Sequence, residues 1–202
     1  MEIGIIFIVI SMMVMLITTF LFVFKGEATW KALLYAWGVS LSYVLAAMLV
    51  TMQLNGAVKF QYLFIALEEL TKLSACRLAG AKTALSRFCV GATFGAMEMI
   101  ISKSEYVLFS GGIDQGNIAL FTALSIITVV MHGISALLYK VRNGVGLVLA
   151  FLLHAAYDGI ADQLGSYSIS LMVLAQVLIL ISAVLIAIYL YRGAPYKVQG
   201  GT

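Results

Sequence analysis

Apolar runs of about twenty residues, separated only by short charged or glycine-containing stretches, recur from one end of the chain to the other. They fall at approximately 4–24, 30–54, 60–80, 83–102, 117–139, 144–164 and 168–191. A helix needs about 20 mostly apolar residues to cross the roughly 30 Å hydrocarbon core of a bilayer. Each run is near that length. The spacing therefore predicts an all-α protein, a polytopic bundle of seven transmembrane helices forming a single domain over residues 1–202. Composition agrees: 63% of the residues are hydrophobic and 10% charged, against roughly 45–50% and 25% in soluble domains. The first run, Gly4 to Phe24, is too long for a signal-peptide core and has no basic flank before it, so it is expected to stay as the first span.

Short basic connections stay on the cytoplasmic side of a membrane. Lys25 and Lys31 mark the first connection, Arg77, Lys82 and Arg87 the third, and Lys140 and Arg142 the fifth; Arg192 and Lys197 follow the last span. The alternate connections hold Lys59 and Lys103 together with Glu105, Asp114 and Asp162. The expected topology places the N-terminus outside and the C-terminus in the cytoplasm, in a multi-pass protein of the cell membrane. The longest loop is expected at Lys103 to Gly116, and the Gly-rich tail after Arg192 is expected to be disordered.

A net charge of +3 on so few charged residues, with no basic stretch interleaved with aromatics, gives no nucleic-acid surface. Cys76 and Cys89 form no metal-ligand spacing and read as small apolar residues. The tyrosines, with Trp30 and Trp37, read as interfacial anchors or packing groups.

The segments differ in kind. The first and last are apolar all round, as lipid-facing helices are, whereas the third to sixth carry ionisable groups. A charge at the bilayer centre costs about 2.5–3.5 kcal/mol on insertion scales, which makes each such residue a functional candidate. At 1.5 Å rise per residue, Glu68 lies roughly 14 Å in from Arg77, Glu98 roughly 16 Å in from Arg87, His132 about 12 Å in from Lys140 and His154 about 18 Å in from Arg142. Four helices thus offer a carboxylate or an imidazole within a layer about 6 Å thick.

Residues four apart share a helix face. Glu68 is so paired with Lys72, Phe94 with Glu98, and His154 with Asp158. Glu69 sits about 100° round from Glu68 and is expected to face a different neighbour. Gly91 and Gly95 form a GxxxG row on the Glu98 side, of the kind that lets helix backbones approach closely. Small residues also follow His132 and His154, at Gly133, Ser135 and Ala136 and at Ala155 and Ala156.

Burial favours the neutral form of a carboxylate and a nearby cation favours its charged form, a balance that can set a base for activating water. Such a base takes a proton from water as it attacks an amide carbon, while imidazoles stabilise the oxyanion or protonate the leaving nitrogen. No organic cofactor is required. The alternative is a Zn²⁺ with an open position for water, for which Glu69, Glu98, His132 and His154 are the candidate ligands; HExxH is absent.

The order EELTK at 68–72, GATFGAME at 91–98, a lone His132 in the next span and LLHAAYD at 152–158 resembles the PrsW family of intramembrane proteases. That family lies within the superfamily of CAAX prenyl proteases and bacteriocin-immunity proteins. The similarity covers roughly residues 60–165. The resemblance implies a helix bundle around a polar cavity, in which Glu68 or Glu69 activates water with help from histidine. It also implies that His154 and Asp158 bind the oxyanion, Asp158 standing where the prenyl-protease branch often has Asn. Glu98 stands where that branch usually has His, and Met99 where PrsW relatives often have Asn. The implied substrate is a single-pass membrane protein such as an anti-sigma factor, cut on its extracytoplasmic side.

Three functions accommodate these residues. One is an intramembrane endopeptidase with Glu68 as preferred base, Glu69, Glu98, His132, His154 and Asp158 completing the site and Lys72 supporting it. Another is a proton- or ion-coupled transporter, which inverted repeats and broken helices would mark and this sequence does not display. The third is a non-catalytic immunity or binding protein of the same fold.

Overall fold

The structure is a computed structural model that describes residues 30–53, 61–110, 118–141, 144–165 and 167–193. Among these residues the protein is all-α, with six helices and no strand: α1 Trp30–Gln53, α2 Gln61–Leu78, α3 Ala84–Ser110, α4 Ile118–Leu138, α5 Val145–Gly165 and α6 Ile169–Gly193. The expected segment 4–24, the markers Lys25, Lys59, Asp114, Arg142 and Lys197, and the tail beyond 193 lie outside the described residues.

The helices begin and end where local chemistry dictates. α2 stops at Gly80, whose φ of +62° suits a residue without Cβ. There the Ala81 N–H donates to Cys76 O at 2.9 Å and the Gly80 N–H to Arg77 O at 3.1 Å, which satisfies carbonyls the helix leaves open. Thr83 then caps α3 reciprocally. Its Oγ1 accepts from the Ser86 N–H at 3.0 Å while Ser86 Oγ accepts from the Thr83 N–H at 3.1 Å.

Two observations correct the sequence reading. α3 continues to Ser110, so the first part of the expected loop at 103–116 is helix; Lys103 and Glu105 continue the helix and do not break it. The last helix is also not apolar all round. Gln176, Ala183 and Ala187 form a buried stripe on α6, against outward Leu171, Leu174, Leu178, Leu185 and Tyr189.

The helices α2, α3, α4 and α5 surround a common centre, with α1 laid against α2 and α3 and α6 against α4 and α5. The closest packing is between α3 and α4. It is reciprocal: a Cβ on Gly91 would lie 2.1 Å from His132 O, one on Gly95 2.9 Å from Val129 Cα, and one on Gly133 2.5 Å from the Phe88 ring. Glycine on both helices is therefore what brings these backbones together. Ala183 and Ala187 of α6 close the other side against Ile134, Leu138 and Ala150.

Among the described residues one helix, α6, contains a stretch, Ser170–Leu190, long and apolar enough to cross a membrane; Thr122–Leu138 and Val145–Ile160 are shorter apolar stretches.

Candidate active site

α2 turns one stripe inward. Ile65, Glu68, Glu69, Lys72, Ala75 and Cys76 are buried, spaced as one helix face. On the opposite side Leu63, Leu67, Leu70 and Leu78 are exposed. Charge inside and leucine outside reverses the pattern of a water-soluble helix. Glu69 shares the inward stripe with Glu68 yet meets different neighbours, Tyr139 and His154 where Glu68 meets His132, as its offset of about 100° leads one to expect. An inward stripe upward of about 100° wide holds both, because α2 packs against α3, α4 and α5 together.

Lys72 is the ionic hub of the cluster and is fully buried. Its Nζ donates to Glu69 Oε1 and lies 3.3 Å from Glu68 Oε1. The same nitrogen is 2.9 Å from His132 Nδ1 and 3.4 Å from Ser135 Oγ. Glu69 has both oxygens engaged. Oε1 also meets His154 Nδ1 at 2.7 Å, and Oε2 accepts from the Tyr139 phenol at 2.6 Å.

Glu68 is placed differently. Its Oε1 lies 3.0 Å from His132 Nδ1, while His132 Nε2 lies 2.8 Å from Glu98 Oε2. The His132 and His154 rings meet edge to face, with centroids 4.7 Å apart, and His154 Nε2 is 3.3 Å from Asp158 Oδ2. The structure thus brings Glu68, Glu69, Lys72, Glu98, His132, His154 and Asp158 into one cluster. Exposure rises across it from zero at the Glu69 and Lys72 side chains, through 10% at Glu68, to 27% at Asp158 and 35% at Glu98. Glu98 and Asp158 therefore form the open side, and Lys72 and Glu69 the floor.

Glu68 Oε1, Glu98 Oε2 and His132 Nε2 are buried, and their close approaches lack hydrogen-bond alignment. Buried polar atoms without such partners are rare and call for an additional species between them. The nearest ligand atoms of Glu68, Glu98, His132 and His154 lie within 4.8 Å of one another. Two carboxylates and two imidazoles are donors that suit a divalent cation such as Zn²⁺. The charge balance also suits one, since among the described residues the cluster brings four carboxylates, Glu68, Glu69, Glu98 and Asp158, together with the single ammonium of Lys72. This corrects the ligand set expected from the sequence: Glu68 takes the place given to Glu69, whose oxygens are held by Lys72, His154 and Tyr139.

Several contributors carried no signal in the sequence. Tyr139, beside Lys140 at the end of an apolar run, reads as an interfacial anchor, yet its hydroxyl reaches Glu69. Ser135 donates to His132 O at 2.9 Å and reads as one more small residue. Tyr43 of α1 donates to Phe64 O at 2.6 Å, tying α1 to the turn of α2 before Glu68. Cys76 and Cys89 are buried in the helix packing, as small apolar residues are. The Trp37 side chain is half-buried, and that of Trp30 lies outside the described set.

Comparison with family models, with curated proteins and with solved structures yields no match to this chain.

Proposed function

We propose that this protein is a multi-pass membrane endopeptidase that hydrolyses peptide bonds of a membrane-anchored substrate at the Glu68–Glu98–His132–His154 cluster. The observation that carries this reading is the convergence of two carboxylates and two imidazoles from four helices within 4.8 Å, in a bundle whose outer surface is leucine-rich. Exposed Leu34, Leu45, Leu63, Leu152, Leu174 and Leu185 come from α1, α2, α5 and α6. Apolar surface of that extent marks contact with lipid or protein. Seven spans, an outside N-terminus and a cytoplasmic C-terminus complete the proposal, on the run lengths and the alternation of basic connections.

In the hydrolysis, Glu68 takes a proton from water as the water oxygen bonds to the amide carbon. Its Oε1 is aligned with no hydrogen-bond donor, as Glu98 Oε2 also is, and it stands between Lys72 and His132. An imidazole N–H of His132 stabilises the oxyanion. As the carbon–nitrogen bond breaks, the leaving nitrogen receives the proton, which leaves a free amine and a carboxylate. Glu98 and Asp158, at the open side, flank the route by which a peptide reaches the floor. The cluster fits a divalent ion held by Glu68, Glu98, His132 and His154. Such an ion, when bound, supplies Lewis-acid polarisation of water and of the carbonyl.

The substrate class follows from the resemblance to PrsW-type proteases: a single-pass membrane protein, with an anti-sigma factor as the specific case. Purified protein in detergent or nanodiscs, incubated with single-pass reporters, tests the reading. Cleavage that Glu68→Gln abolishes in a folded protein supports it. Cleavage that survives both Glu68→Gln and Glu69→Gln sinks it. Loss of cleavage on chelation, with recovery on Zn²⁺ addition, assigns a metal; persistence in metal-free protein assigns the carboxylate–imidazole mechanism.

A further inference from the structure

We infer that Tyr139 is a positioning residue: its hydroxyl holds Glu69 so that Glu69 in turn fixes the proton of His154 on Nδ1, leaving Nε2 toward the open side of the cluster.

The chain of contacts runs in one direction. Tyr139 Oη donates to Glu69 Oε2 at 2.6 Å, and lies 3.2 Å from Glu69 O. Glu69 Oε1 meets His154 Nδ1 at 2.7 Å. An ionised carboxylate only accepts hydrogen bonds, so at this contact the proton resides on Nδ1. The partner of one ring nitrogen sets what the other can do. Nε2 of His154 points toward Asp158, but that carboxylate is farther and more exposed, 3.3 Å against 2.7 Å for Glu69, so Glu69 holds the ring proton more firmly. Carboxylate–histidine pairs of this kind orient imidazoles at metal and hydrolytic sites, and losing the outer partner costs about 10–100-fold in affinity or activity.

Glu69 is suited to this task and unsuited to acting on water. Its side chain is fully buried, and Lys72, His154 and Tyr139 occupy both oxygens. Glu68, by contrast, has an oxygen with no aligned donor. The adjacent glutamates therefore divide the work, one orienting and one reacting.

The backbone places Tyr139 for this role. It follows the last residue of α4, and the start of α5 packs directly beneath that point. A Cβ on Gly146 would lie 1.9 Å from Leu138 O and 3.2 Å from Tyr139 Cα. Only a glycine at 146 allows α5 so close, and that approach brings His154, about two turns further along α5, to the glutamate that Tyr139 holds.

The catalytic consequence depends on the peptidase reading, but the proton position does not, and the two are tested separately. The chain has only two histidines, so protein labelled with ¹⁵N-histidine gives two ring spectra, which His132→Gln assigns. In the wild type His154 is expected to carry its proton on Nδ1, and Tyr139→Phe is expected to lose that preference while thermal unfolding in detergent stays cooperative. On a cleaved reporter, Tyr139→Phe should lower kcat about 10–100-fold with KM little changed. The Tyr139→Phe/Glu69→Gln double variant should be no slower than Glu69→Gln alone, because the phenol acts through the glutamate. A wild-type His154 protonated on Nε2 alone or on both ring nitrogens, a spectrum unchanged by Tyr139→Phe, or rate losses that multiply in the double variant would each overturn the assignment. If no reporter is cleaved, the hydrolase reading fails while the spectra still decide the role of Tyr139.

Discussion

Gly95 of α3 lies directly beneath the His132 ring of α4: a Cβ at position 95 would stand 2.9 Å from His132 Cδ2 and 3.1 Å from its Cβ. The imidazole occupies space that a glycine leaves empty. The position of a reactive group on one helix is thus set by a missing side chain on the next.

Gly95→Ala tests that dependence. Alanine favours an isolated helix over glycine by about 1 kcal/mol, so a purely local effect would stabilise the protein. We expect a net loss of about 1–3 kcal/mol from overpacking together with displacement of His132, read as a lower unfolding midpoint and at least tenfold slower cleavage. Gly91→Ala, which would press on the His132 carbonyl, should lower the midpoint further.

Lys72→Met removes the lysine that pairs with Glu68 and Glu69. Breaking a buried pair by deleting one partner costs about 3–5 kcal/mol, because the remaining charge loses its compensation. The variant should unfold in SDS titrations well below the wild type. Adding Glu69→Gln should recover part of that loss, and strictly additive effects would show that the two side chains are not coupled.

Glu68→Gln and Glu69→Gln should separate. The first removes the oxygen proposed to react and is expected to slow cleavage by about 10²–10⁴-fold, the range for a lost general base, with the unfolding midpoint nearly unchanged. The second loosens Lys72, His154 and Tyr139 together, so it should lower both rate and midpoint. Equal losses of stability would remove the division of labour between them.

Topology has its own test. Single cysteines at Lys82 and Lys140, introduced after Cys76→Ser and Cys89→Ala, should react with impermeant maleimide only from the cytoplasmic side. Cysteines at Gly112 and Ser166 should react from outside. Labelling of positions 82 and 112 from the same side would contradict the seven-span arrangement.

Much of the candidate site was legible before any coordinates. An ionisable residue inside an apolar run stands out at once, because the cost of burying its charge is local to that residue. Depth along a helix is equally simple, since the rise per residue is fixed. Hence Glu68, Glu69, Lys72, Glu98, His132, His154 and Asp158 could be named, and the meeting of Glu68, Glu98, His132 and His154 at one level expected.

What linear spacing does not carry is rotation and register between helices. Whether Glu69 shares the inward stripe, which of two neighbouring glutamates keeps an oxygen open, and that a tyrosine at the end of α4 reaches 70 residues back to Glu69 depend on how glycines at 91, 95, 133 and 146 seat one helix against the next. The sequence by itself determined the apolar helices and the ionisable groups they carry, because both follow from local hydropathy. Only the tertiary structure decided which oxygen faces which nitrogen, because that rests on side-chain-sized gaps formed between segments distant in the chain.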